Sequence, residues 1–110
     1  MIEDTLKKIA ARIHAADTIE AGRKAELLRL VDTLHAEVAA LSDTHGEHAE
    51  SIASFTESSA REATRLQPHP RLLELSLAGL TSSVEGFEQS HPRLVQIVNA
   101  ISTALASLGI

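Results

Sequence analysis

Leu94, Val98, Ile101, Leu105 and Leu108 recur at spacings of four and three, the seam of an amphipathic, coiled-coil-like helix. Both ends of that helix are marked. Ser90 or His91 can cap its start, and Pro92 fits the first turn, where a missing N–H is harmless. Gly109 suits the left-handed position after the last turn, with Ile110 folding back on it. No side chain after Arg93 carries a charge, and Gln96, Asn99, Thr103 and Ser107 make a neutral polar strip. So little charge places the helix near the middle of a bundle or in a subunit interface.

The same periodicity recurs upstream. Ile2, Leu6, Ile9 and Ile13 share one face of a helix over 2–16, with Glu3 and Asp4 at its positive end, one turn from Lys7 and Lys8. Asp17-Thr-Ile-Glu20 reads as a capping box opening a second helix. That helix runs to about Leu41 on a seam of Leu27, Val31, Leu34, Val38 and Leu41. Ser42-Asp-Thr-His-Gly46 looks like a break, and Thr44-His-Gly-Glu47 like another capping box. Yet the heptad phase continues through His45, His48, Ile52, Phe55, Ser59, Glu62 and Leu66. One helix over 19–66, about 70 Å long, therefore competes with two. Residues 47–66 are weakly apolar, with a stripe of Ala49, Ala53, Ala60 and Ala63 that needs another helix or a partner chain to cover it.

Gln67-Pro-His-Pro70 interrupts the helical pattern. A further helix on Leu73, Leu77, Leu80, Val84 and Phe87 is expected from Pro70 to about Gln89, with Gly79 and Gly86 marking close backbone approach. Gln67-Pro-His-Pro-Arg-Leu72 is echoed by Gln89-Ser-His-Pro-Arg-Leu94. Shared helix-start chemistry explains the echo, and two copies are too few for a solenoid.

Composition narrows the chemistry. Phe55 and Phe87 are the only aromatics, so the core is Leu, Ile, Val and Ala in closely packed helices. The absence of cysteine removes disulfides and thiolate chemistry. A net charge of −5 without a basic cluster or stacking aromatics argues against nucleic acid. No apolar run is long enough for a membrane span, and none follows Lys7 and Lys8 as a signal peptide would require. A cytoplasmic protein is expected.

Six histidines raise the question of metal. His45 and His48 are three residues apart with Glu47 and Glu50 nearby, and could share a helical face. Asp32-Thr-Leu-His35 and Glu88-Gln-Ser-His91 have the acid-x-x-His spacing of di-iron bundles. One copy has Asp, though, and the other runs into a proline-led helix start. Exposed, capping or seam histidines are the simpler reading, and His45 and His48 in a seam would make assembly sensitive to pH. Ser51, Ser54, Ser58 and Ser59 lack a nucleophile elbow, no phosphate-binding glycine loop exists, and carboxylates occur only as surface charges. No enzymatic activity and no cofactor are expected.

Gly86-Phe87-Glu88, Ser90-His91-Pro92-Arg93-Leu94, Ala104-Leu105 and Leu108-Gly109-Ile110 carry a resemblance to a small bacterial family, domain of unknown function 4404. The first two helices resemble it in pattern only, and residues 43–65 look like an extension. The resemblance implies a small helical protein and transfers no catalytic residue.

The expected architecture is all-α: one domain over 1–110, with four or five amphipathic helices in an antiparallel bundle with coiled-coil-like seams. The packing or interface residues are Leu27, Val31, Leu34, Val38 and Leu41 facing Leu94, Val98, Ile101, Leu105 and Leu108. The expected function is a non-enzymatic interaction or scaffold protein that self-associates as a dimer. The alternatives are a metal-binding protein using His45 and His48, or a regulator that binds a partner helix in an apolar groove.

Overall fold

A computed structural model describes residues 2–108 and shows five helices: α1 Ile2–Ala15, α2 Ala21–Ser42, α3 Gly46–Ala63, α4 Pro70–Ser83 and α5 Pro92–Leu108. Every consecutive pair is in contact across a short connection, so neighbours run antiparallel. α3 lies at the centre and packs against all four other helices.

The single helix over 19–66 does not form. Its length of about 70 Å is nearly twice the 37 Å long dimension of the molecule. The chain leaves helical geometry at His45 (φ −136°, ψ 60°), and the N–H groups of Thr44 and His45 both return to Leu41 O. The break folds the weakly apolar segment back over the bundle. Ala49, Ile52, Ala53 and Ala60 are thereby buried, where one continuous rod would leave them in water. Thr56 and Ser59 are buried in the same face. Their hydroxyls donate to Ile52 O and Phe55 O, each at 2.7 Å, so neither is left unsatisfied.

Running the heptad phase through the break therefore mispositions several side chains. His45 and His48 are exposed rather than in a seam. Ile52 and Ser59 of the heptad line are buried, but Phe55 is 39% exposed and Leu66 96%, because the core-facing side of α3 is centred on Ala49, Ala53, Thr56 and Ala60. The capping expectations shift too. α2 is capped by Glu20, whose carboxylate accepts from Gly22 N at 2.8 Å and Arg23 N at 3.4 Å, not by Asp17. α3 starts after His45 with no side-chain cap; the Thr44 hydroxyl donates to Leu41 O instead. Among the described residues, Glu3 and Asp4 form no ion pair with Lys7 or Lys8.

α4 ends at Ser83, six residues earlier than the periodicity suggests. Gly86 lies beyond it at φ +93°, a conformation that disfavours any side chain. Val84 and Phe87 still reach the core from this corner. Both proline-led starts form as expected, but their caps differ. The His69 ring accepts from Leu72 N at 3.3 Å, whereas Nδ1 of His91 sits 2.9 Å from the Ser90 hydroxyl. The Gly109–Ile110 cap lies outside the described residues.

Candidate functional site

The two long seams meet inside one chain. Leu27, Val31, Leu34, Val38 and Leu41 are buried on α2, and Leu94, Val98, Ile101 and Leu105 are buried on α5, which packs directly against it. Leu108 is partly buried at the end of the same face. Arg93 and Glu37 bridge the two helices at 3.6 Å. Within the single chain these side chains form part of the core.

At one end of the bundle the candidate histidines come together around an aromatic ring that sequence reasoning had assigned only to packing. His45 comes from the α2–α3 turn, His48 from the first turn of α3, and Phe87 and His91 from the α4–α5 corner. Ring centroids of His45, His48 and His91 lie 5.5, 5.3 and 5.4 Å from that of Phe87, all edge to face. His45 is 6.3 Å from His48 and 6.0 Å from His91. Nδ1 of His45 is engaged by the Thr44 hydroxyl at 2.8 Å. No group of three His, Cys, Asp or Glu side chains placed to hold an ion occurs among the described residues. Chemically, the arrangement is an aromatic latch joining two turns. In the sequence, the spacings of His45 with His48 and of Phe87 with His91 each hint at one half of it.

A groove runs between α2 and α5, lined by Leu27, Leu30, Ala100, Ala104 and Leu108 with Arg23 and Glu26 beside them. Its hydroxyls are already committed: Thr103 donates to Asn99 O at 3.0 Å and Ser107 to Thr103 O at 3.2 Å. The groove thus offers apolar contact and little directional chemistry.

The most conspicuous apolar surface lies on α3 and α4. Leu72 and Leu75 are 37% and 50% exposed on α4, and Phe55 lies alongside on α3. The seat of Phe55 depends on Gly79, where a Cβ would clash with the phenyl ring. The sequence periodicity marked Leu73, Leu77 and Leu80 on this helix and passed over Leu72 and Leu75, which belong to the opposite face.

Helices packed around an aliphatic core define a small all-α bundle. A family model described as Domain of unknown function (DUF4404) matches residues 27–110, and the chain belongs to that family. The match runs from α2 through α5, and α1 precedes it. No curated protein and no solved structure matches the chain. No described helix is long and apolar enough to cross a membrane.

Proposed function

We propose that the chain is a non-enzymatic interaction or scaffold module that self-associates, working in the cytoplasm. The observation that supports this reading is the placement of Phe55, Leu72 and Leu75 in solvent on one face while the seams of α2 and α5 close on each other. Scattered apolar residues are ordinary on a protein surface, but neighbouring ones on one face suit contact with another protein. Light scattering on untagged protein across a dilution series tests it. The expected result is a dimer at the upper concentrations, and a monomer throughout overturns self-association.

A second reading has its own observation. The apolar groove between α2 and α5 fits one face of a partner helix, which would make the protein a regulator of that partner. A monomer whose binding of a partner helix is lost on Ala104→Glu is the result that would favour it.

A further inference from the structure

The self-association just proposed needs a surface, and the α3–α4 face has the features of one made for a second copy. Phe55 touches Gly79. Because α3 and α4 run antiparallel, that contact brings Glu62 level with Leu72. Glu62, Arg65, Pro70 and Leu73 accordingly line a common hollow. The ion pairs beside the apolar face are Arg71–Glu74 on α4 and, on α3, Arg65–Glu62 at 2.9 Å, with Arg61 3.8 Å from Glu62 and 3.2 Å from Glu57. Their charges cancel, so the whole formal charge of −5 lies elsewhere on the chain. A border of paired charges lets two copies approach without net repulsion.

The order of charges along α4 is also self-complementary. Arg71, Leu72, Leu75 and Glu74 occupy one exposed turn, with a cation at the start and an anion one turn on. A two-fold axis between Leu72 and Leu75 sets α4 antiparallel to α4 of the second copy. It opposes Leu72 to Leu75 and carries each Arg71 towards the other copy's Glu74. This is an isologous contact, the usual form of a dimer interface. Phe55, packed against Gly79, extends the apolar centre.

We infer that a second copy of this chain docks on the α3–α4 face about a two-fold axis at Leu72 and Leu75, with Arg71 and Glu74 exchanging their partner within the chain for one across the interface. The inference rests on the self-association reading. A face two helices wide and about 20 Å long is at the small end of stable interfaces, so the dimer dissociates within an ordinary dilution series.

Sedimentation equilibrium of the full chain tests it, with circular dichroism to confirm helicity. Leu72→Glu with Leu75→Glu is expected to raise the dimer dissociation constant at least about 100-fold. Arg71→Glu alone and Glu74→Arg alone, both at highly exposed positions, are each expected to weaken self-association about tenfold. An equimolar mixture of these two variants is expected to regain dimerisation, since opposite charges then meet across the axis. A wild-type dimer untouched by Leu72→Glu with Leu75→Glu overturns this surface and leaves self-association standing. A mixture no better than its separate components overturns the antiparallel α4 arrangement. A wild-type monomer at every concentration removes both the surface and the reading beneath it. Should the double leucine variant lose helicity, the charge-exchange experiment decides alone.

Discussion

The phenyl ring of Phe55 rests against the backbone of α4 at Gly79, where no side chain intervenes. A glycine inside a helix costs about 1 kcal/mol relative to alanine, and here the seat it makes for the ring offsets that cost. Gly79→Ala should force the ring outward, while the same change in a Phe55→Ala background should stabilise by about 1 kcal/mol. Urea unfolding of the four proteins gives the coupling; equal effects of Gly79→Ala in both backgrounds would show that the ring does not depend on the glycine.

Ile101 is fully buried in the seam of α5. Ile101→Asp places an unpaired carboxylate there, at a cost of several kcal/mol, a large share of the stability of a chain this size. Loss of the helical signal at 25 °C is expected. A soluble, fully helical variant of unchanged mass would mean that the seam does not hold the fold.

Phe87 is buried and makes edge contacts with three imidazoles. Phe87→Ala should destabilise by about 3–5 kcal/mol, and Phe87→Leu by less because most of the volume is kept. Thermal melts separate the two. Equal losses would assign the aromatic contacts, rather than the volume, the main role.

The histidine cluster bears on the metal reading. Among the described residues, no three His, Cys, Asp or Glu side chains are grouped to hold an ion. Elemental analysis of untagged protein is therefore expected to show no stoichiometric iron, zinc or nickel. Bound metal that disappears with His45→Ala plus His48→Ala would revive that reading.

Gly86 holds φ +93° and donates its N–H to the Glu88 carboxylate at 2.7 Å. Gly86→Ala should cost about 1 kcal/mol from the left-handed backbone alone, seen as a lower urea midpoint with an unchanged slope. A neutral substitution would indicate that the corner relaxes.

Where the hydrophobic period was uninterrupted, the sequence was a sound guide. The seams of α2 and α5, the alanine stripe of α3 and both proline-led starts are all visible in it, because each is a local pattern with a local cause. The errors came from extending a period past its physical limit. Carrying the heptad through Asp43–His45 put Phe55 in a seam, although its helix turns its alanines inward. Carrying α4 to Gln89 overlooked what Gly86 permits. Leu72 and Leu75 could not be told from core leucines by type, since their exposure depends on which face α3 covers. The latch of His45, His48, His91 and Phe87 joins turns some forty residues apart in sequence, and no spacing along the chain encodes that meeting.

The alanine stripe of α3 has a consequence for the order in which the molecule assembles. Methyl groups give α3 little reason to become helical alone, yet it touches every other helix. It should therefore condense late, onto a surface that α1, α2, α4 and α5 have begun to form. Ala53→Gly is then expected to speed unfolding while leaving the refolding limb of the chevron nearly unchanged. The central helix of the finished bundle would be among the last to settle into place.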